Sequence, residues 1–326
     1  MSSVLVLGGT SWVGGEVART AVARGHEVTC LARGESGDPP DGVRWVRADR
    51  DDPRAYDEVR GRDWDQVIDV SRQPGQVRSA VDVLGPTTGH WTLVSTGSVY
   101  ADQSGPLTED SPVLEPLDGD VAGPDQYGEG KVACEQAVRR LGRHLIVRAG
   151  LIGGRGDRSD RLGHYVARFA LADDGPVLVP GVADQPMQVI DVRDLAAWIV
   201  AAAESGTTGT VHGVGEATTV GELVALSAAV AGFAGEQVVA DESWLRERGV
   251  EEWMGPRSLP LWLPRSHHGM GLMDDTRALA HGLERRSLSE TIDATLADER
   301  ERGLGRERRA GLSREDELEL IAQLQA

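Results

Sequence analysis

The first half of the chain alternates short apolar runs with segments of helical periodicity. The unbroken apolar run VLVLG, residues 4–8, is typical of a strand that is buried on both faces of a parallel sheet. Further strands are predicted at 26–33, 43–49, 65–70, 91–96 and 144–150, and helices at 13–24, 53–60, 75–84 and 126–141. This alternation indicates right-handed crossovers and an α/β fold with a doubly wound parallel sheet.

The pattern changes near residue 155 and predicts a second, smaller unit of α+β type that binds substrate. A dinucleotide-binding domain is expected at 1–155 and about 183–215, and the substrate domain at 156–182 and 216–326. Within the latter, residues 244–264 hold three Trp and three Pro. Such a segment favours either an aromatic-lined lid or, as is more common for these residues, a packed core.

Composition narrows the class of protein. The 326 residues are 40% hydrophobic and carry a formal net charge of −18, which makes a phosphate backbone an unfavourable partner. Apolar runs stay short of the roughly 18 residues that a membrane span needs, and the N-terminal run opens into glycines rather than resembling a signal peptide. The two cysteines, Cys30 and Cys134, lack metal-ligand spacing. We expect a cytoplasmic protein that binds neither nucleic acid, membrane nor metal.

A glycine-rich turn, GGTSWVG, directly follows the first predicted strand and precedes the first helix. Glycines in this context let the backbone approach a pyrophosphate at a helix N-terminus, as in dinucleotide-binding turns of the Rossmann type. The candidate cofactor-binding residues in the turn are Gly8, Thr10, Ser11, Trp12, Val13 and Gly14.

The end of the second strand indicates which dinucleotide binds. NAD-binding strands usually end in Asp or Glu, whereas this strand ends in Ala32 followed by Arg33. A guanidinium pairs with a 2′-phosphate that a carboxylate would repel. The sequence therefore favours NADP(H) over NAD(H), unless Arg33 is simply a solvated loop residue.

Lys131 is the only lysine in the chain, and it follows Tyr127 by four residues at the start of a predicted helix. The two side chains therefore share one helical face. A phenol is a poor acid or base at neutral pH, and a nearby ammonium favours its charged form. Lysine is a compact point charge, unlike the planar fork of arginine, so this position predicts a functional ammonium.

Hydroxyl side chains close the fifth strand in the stretch WTLVSTGSVY, with Ser95, Thr96 and Ser98. Ligands of doubly wound sheets bind at the C-terminal ends of the strands. A hydroxyl there can hold a substrate oxygen beside the Tyr127 phenol, although an STGS run taken alone is usually a turn.

Together these motifs resemble the extended short-chain dehydrogenase/reductase superfamily, which includes the NAD-dependent epimerase/dehydratases. The resemblance rests on GGTSWVG, STGSVY, YGEGK, VRAG and VIDVRDLA and covers about residues 1–215. It implies that Tyr127 is the general acid/base, that Lys131 holds the nicotinamide ribose and that Thr96 binds the substrate oxygen. It also implies cofactor contacts from the residues that follow the third and fourth strands: Asp49, Arg50, Val70 and Ser71.

Two departures from the family pattern are informative. Ser11 replaces the middle glycine of GxxGxxG, which affects loop geometry more than binding. Met187 stands where nucleotide-sugar enzymes commonly carry an arginine for the pyrophosphate of the sugar nucleotide. The loss of that cation disfavours a UDP- or dTDP-sugar substrate.

Three hypotheses remain open from the sequence. The favoured one is an NADP(H)-dependent reductase of a small organic carbonyl or alcohol. The alternative is a nucleotide-sugar epimerase or dehydratase with bound NAD(P), and the third is a non-catalytic sensor or RNA-binding relative, which the Tyr127/Lys131 pair and the net charge disfavour. His164, His267 and His268 are interpreted as structural, and a homodimer is plausible because relatives often form one.

Overall fold

The computed structural model describes residues 1–326 as a set of strands and helices in regular alternation. The strands are β1 Ser3–Leu7, β2 Glu27–Ala32, β3 Arg44–Arg47, β4 Trp64–Asp69, β5 Thr88–Thr96, β6 His144–Ala149, β7 Leu151–Gly153, β8 Val177–Pro180, β9 Pro186–Asp191, β10 Gly209–Gly213, β11 Ala217–Thr219, β12 Gln237–Ala240, β13 Glu251–Trp253 and β14 Ser258–Pro260. The α-helices are α1 Trp12–Ala23, α2 Pro74–Leu84, α3 Tyr127–Arg139, α4 Arg161–Ala172, α5 Val192–Ser205, α6 Val220–Ala231, α7 Glu242–Glu247, α8 Thr276–Ala280, α9 Leu288–Arg302 and α10 Arg314–Leu324. Short 3₁₀ turns lie at Gly85–Thr87, Gly97–Val99, Pro124–Gln126 and Arg265–Gly271.

Seven parallel strands form the central sheet in the order β3-β2-β1-β4-β5-β6-β10. The chain runs outward from β1 to β3 and then returns to β4 on the other side of β1. This reversal opens a crevice at the carboxyl ends of β1 and β4, where doubly wound sheets bind their ligands. The predicted Rossmann-type α/β fold is confirmed.

The sheet is covered on both faces because alternate residues of a strand point to opposite sides. On β1, Val4 and Val6 join the apolar core that includes α1 and α5, whereas Leu5 and Leu7 join the core that includes α2 and α3. This arrangement explains why β1 reads as an unbroken apolar run.

The remaining elements form smaller sheets, ordered β11-β9-β7, β12-β8 and β13-β14. Helices α4 and α6 pack with them around an apolar core that includes Leu162, Phe169 and Leu223. Within the predicted return segment, 183–215, α5 packs against α1 and β10 extends the central sheet. The domain boundaries given above stay a prediction.

The helix predicted at 53–60 is wrong, because this segment forms a series of turns. The carboxylates of Asp49 and Asp52 accept hydrogen bonds from the backbone N–H groups of Asp51 and Arg54. Such local side-chain bonds compete with helix formation. No helix of the structure is both long enough and apolar enough to span a bilayer.

Candidate active site

The glycine turn places the start of α1 directly against the end of β1. Gly8 has φ +91°, which favours glycine, and a Cβ on Gly14 would lie 2.3 Å from the carbonyl oxygen of Gly8. Ser11, at the family's middle glycine position, caps α1 by accepting a hydrogen bond from the N–H of Gly14 at 3.2 Å. Its hydroxyl also donates to the carbonyl of Gly8 at 2.7 Å. The serine therefore closes the turn with its own side chain.

A cleft of about 300 Å³ opens at the carboxyl ends of the strands beside this turn. Its lining includes seven of the residues that the sequence predicts for cofactor binding, namely Gly8, Thr10, Ser11, Arg33, Arg50, Val70 and Ser71. Sequence reasoning missed Glu35, Arg72, Gln73 and Gln76, which also line it. The signal that could have found the last three is their position directly after β4.

The other predicted cofactor residues lie outside this lining. The indole of Trp12 donates to the carbonyl oxygen of Arg155 at 2.8 Å, and Val13 and Gly14 belong to the first turn of α1. Asp49 is exposed and lies 3.8 Å from the guanidinium of Arg33.

Arg50 lines the cleft, but its guanidinium is largely occupied by the protein. It binds both carboxylate oxygens of Asp69, at 2.8 and 2.9 Å, the carbonyl of Gln76 at 2.7 Å and the hydroxyl of Tyr56 at 3.1 Å. Burial alone would lower the pKa of Arg50, but the Asp69 carboxylate outweighs it and raises that pKa. Arg50 thus joins the loop after β3 to the end of β4 as a structural ion pair.

Arg33 stands at the rim of the cleft and is about half exposed. Its guanidinium lies 3.1 Å from Glu35 and 3.8 Å from Asp49. Exposed pairs of this kind contribute about 0–1 kcal/mol, so a stronger anion can displace the two carboxylates.

Lys131 is only 3% exposed and points between the ends of β4 and β5. Its ammonium donates to the carbonyl oxygens of Ser71 and Val94, both at 2.7 Å. An ammonium carries three donors, so one remains without a partner in the protein, next to Ser71, which lines the cleft.

Tyr127 begins α3 one helical turn before Lys131 and is 37% exposed, with no hydrogen bond from its hydroxyl to the protein. The helix approaches the turn after β5 closely, since a Cβ on the neighbouring Gly128 would lie 2.4 Å from the carbonyl oxygen of Ser98. Thr96 ends β5, and its hydroxyl bonds that of Ser98 at 3.2 Å. The fold therefore brings the Thr96 turn and the Tyr127 helix together at one edge of the sheet.

Three other titratable side chains that the sequence singled out are buried, whereas His267 is exposed. His164 is fully buried, and burial holds its pKa well below the ordinary value. Burial raises the pKa of Cys30 to about 12 and that of Cys134 to about 11, which leaves both as unreactive core thiols.

A family model described as the NAD dependent epimerase/dehydratase family matches residues 4–215. The chain belongs to that family. Among curated relatives, it is 30% identical over 238 residues to Epimerase family protein SDR39U1 of Bos taurus, which covers 66% of this chain and 75% of that protein. It is 34% identical over 196 residues to 2′-dehydrokanamycin reductase of Streptomyces kanamyceticus, a match that covers 58% of this chain and 51% of the relative.

Solved structures of family enzymes share the fold. UDP-glucuronic acid 4-epimerase from Bacillus cereus, in complex with NAD, superposes with a TM-score of 0.67 at 16% identity and covers 92% of this chain and 99% of its own. The Bordetella bronchiseptica enzyme WbmH, in complex with NAD+, gives a TM-score of 0.65 at 18% identity with the same coverage of both chains. At these identities the likeness establishes the fold and leaves the substrate open.

Proposed function

We propose that the protein is an NADP(H)-dependent reductase of a small organic carbonyl compound, with Thr96, Tyr127 and Lys131 as its catalytic residues. One observation carries the proposal. The only lysine of the chain is buried between the ends of β4 and β5, one helical turn from a half-exposed tyrosine without a protein partner.

The residues of the cleft fit a dinucleotide. The backbone of the glycine turn leaves no room for a Cβ at Gly14, and the start of α1 provides N–H groups that favour a pyrophosphate. Arg33 supports NADP(H) over NAD(H), because a charge-assisted pair with a 2′-phosphate is stronger than its exposed contacts with Glu35 and Asp49.

The chain's own residues then account for the proton and the orientation of the substrate. When bound, NADPH supplies the two electrons of the reduction. Tyr127 donates its hydroxyl proton to the carbonyl oxygen, and the hydroxyl of Thr96 orients that oxygen. Two N–H donors of Lys131 are bound by the protein, and the third is left to bind the ribose, while the ammonium favours the charged form of the phenol.

A nucleotide-sugar epimerase is the second candidate, because the structural neighbours UDP-glucuronic acid 4-epimerase and UDP-galactose 4-epimerase are enzymes of that kind. Met187 weighs against it: this side chain is 3% exposed and packs in the apolar core of the C-terminal half. Nothing at that position can contact a sugar-nucleotide pyrophosphate. The relative named as a dehydrokanamycin reductase supports the reductase instead.

Thermal unfolding with NADPH, NADH and UDP-sugars tests the two candidates. A ligand at one hundred times its Kd stabilises by about 2.7 kcal/mol, which is a measurable shift in Tm. We expect a shift with NADPH, none further with UDP-sugars, and oxidation of NADPH at 340 nm by members of a panel of aldehydes and ketones. The matched Tyr127→Phe variant should keep the NADPH shift and lose the oxidation. A shift with NADH followed by a further shift with a UDP-sugar would favour the epimerase.

A further inference from the structure

Arg161, the first residue of α4, is partly withdrawn from solvent and has no carboxylate partner. Every other arginine of the chain that is not exposed lies within 4.0 Å of a carboxylate. Partly buried charges are normally paired because desolvation of a lone charge is costly. An unpaired guanidinium in this setting indicates a missing anion.

The guanidinium is nevertheless held in place. Its centre lies 4.4 Å from the ring centroid of Trp253, within the range of a cation–π contact. Its Nε donates to the hydroxyl of Ser159 at 3.2 Å, and its other four N–H donors have no acceptor in the protein. Trp253 itself has φ +66°, a left-handed conformation that is unfavourable for a non-glycine residue. The neighbouring chain therefore fixes the arginine and leaves its outer edge free.

The chain reaches Arg161 from the carboxyl end of β6, the strand that pairs with β5 and its terminal Thr96. The preceding loop follows β7 and is tied to the start of α1, where Trp12 donates to the carbonyl of Arg155. Burial lowers the pKa of Arg161, while the charges of Asp157 and of Tyr127 oppose that change. A guanidinium remains charged at neutral pH even with this shift.

We propose that Arg161 binds a carboxylate of the substrate, so that the carbonyl compound is an oxo acid. This inference rests on the proposed reductase function and names the class of substrate for it. The planar fork of arginine matches the two oxygens of a carboxylate in a bidentate pair. The ring of Trp253 packs against the apolar core of the C-terminal half and holds the guanidinium in place for that pair.

The local charges favour one carboxylate over a pyrophosphate. The neighbouring Arg155 is already paired with Glu301 at 2.5 Å, and Arg158 is exposed. Asp157 is buried nearby, with its carboxylate bound by the N–H and hydroxyl of Ser159 at 2.7 and 2.9 Å. One free cation beside a buried acid, in a chain of net charge −18, suits a monoanion better than a polyanion.

The experiment compares two oxo acids of different spacing, phenylglyoxylate and levulinate, with their uncharged methyl esters. It measures kcat/KM with NADPH for the wild type, Arg161→Gln and Arg161→Lys, and uses Arg158→Gln as the matched control. A charge-assisted pair is worth about 1.5–3 kcal/mol, so we expect at least one acid to be preferred over its ester by roughly ten- to a hundredfold. Arg161→Gln should abolish that preference, Arg161→Lys should keep part of it, and Arg158→Gln should keep it fully.

Two further measurements separate the possible failures. The Kd of NADPH, from nicotinamide fluorescence, should be unchanged in Arg161→Gln; a loss there equal to the loss in kcat/KM would assign Arg161 to the cofactor's phosphates and overturn the inference. Equal rates for acid and ester would also overturn the inference, while the proposed reductase function would stand.

If no carbonyl compound is reduced, the proposed function fails, and calorimetry then tests the anion site alone. It measures benzoate binding to the NADPH-loaded wild type and to Arg161→Gln. Benzoate binding that is equal in the two proteins, or absent from both, would refute it.

Discussion

The ammonium of Lys131 lies 2.7 Å from the carbonyl oxygen of Ser71 and 2.7 Å from that of Val94. Val94 belongs to β5, and Ser71 follows the end of the adjacent parallel strand β4, so the buried ammonium joins the two strands. An arginine could not replace it there, since a guanidinium is wider and carries five donors in a fixed plane. This geometry accounts for a lysine at one position of a chain that otherwise uses only arginine.

Replacement of Lys131 by arginine should therefore disable the enzyme despite the retained charge. Overpacking of a buried site costs about 1–3 kcal/mol, and loss of an acid–base partner costs roughly 10²–10⁴ in rate. We expect a lower Tm and a kcat reduced at least about a hundredfold. Arg54→Lys, on an exposed turn, is the control that should change neither. An active Lys131→Arg variant would show that the position needs only a positive charge.

Arg33 should decide between the two dinucleotides. Replacement by Gln removes the guanidinium that directly follows Ala32 at the rim of the cleft, and the loss of such a pair with a 2′-phosphate is worth about 1.5–3 kcal/mol. We expect the Kd of NADPH to rise roughly ten- to a hundredfold and that of NADH to stay within about a factor of two. Titration of nicotinamide fluorescence measures both. Equal weakening of the two cofactors would remove the basis for the NADP(H) preference.

The buried pair of Glu135 and Arg148 should account for part of the loss of folding stability at acid pH. The carboxylate oxygens of Glu135 accept hydrogen bonds from Arg148 at 3.0 and 2.8 Å and from the hydroxyl of Ser95 at 2.7 Å. Burial alone would raise the pKa of Glu135, but the hydrogen bonds and charge of Arg148 outweigh it and lower that pKa. A carboxyl with a lowered folded-state pKa contributes stability above its unfolded pKa of about 4.5, and this stability is lost as the pH falls through the folded value.

Glu135→Gln should therefore lose about 3–5 kcal/mol of unfolding free energy at pH 7, because it leaves Arg148 buried without its counter-charge. Below about pH 4.5 the gap to the wild type should narrow. Denaturant titrations at pH 7 and pH 4 measure both effects. The exposed Glu247→Gln serves as control, with a change below about 0.5 kcal/mol. A gap that stays constant with pH would mean that Glu135 contributes through packing alone.

Gly311 joins the C-terminal segment to α4 at a contact that admits no side chain. It has φ +110°, and a Cβ there would lie 2.0 Å from Nδ1 of the buried His164. Gly311→Ala should destabilise by about 2–5 kcal/mol, the sum of backbone strain and overpacking. Gly303 has a similar φ but open space around it, so Gly303→Ala measures the cost of backbone strain alone. Gly305 has neither constraint, so Gly305→Ala should be neutral or slightly stabilising. Equal Tm values for the Gly311 and Gly303 variants would contradict the packing argument.

Periodicity predicted the sheet and its helices because each buried strand carries its own apolar signal. The positions of the glycine turn, Thr96, Tyr127 and Lys131 could also be predicted, since each lies at a predicted strand end or helix start. The turns at 53–60 could not be predicted, because they depend on carboxylates that bind nearby backbone N–H groups. Such local hydrogen bonds prevent a helix from forming, but they do not change the spacing of apolar residues in the sequence, which still looks helical.

Two features of the site could not be predicted because they depend on pairing in space. Arg50, in the loop after β3, lines the cleft as predicted, but its guanidinium binds Asp69 on β4, nineteen residues away. Arg161 belongs to no sequence motif. It is singled out only in the structure, because no carboxylate pairs with it and because it stacks on Trp253, ninety-two residues further along the chain. Sequence alone places these residues in loops and helix ends without their partners.

The solitary Lys131 also makes the protein a simple subject for chemical footprinting. An amine-directed reagent can form only one ε-amine adduct, on the lysine whose ammonium donates to the carbonyl of Ser71 in the cleft lining. Peptide mass spectrometry of labelled Lys131 would report occupancy of the cleft directly, with no background from other lysine side chains. Because every other basic side chain apart from histidine is arginine, the proposed catalytic lysine can serve as a reporter of ligand binding.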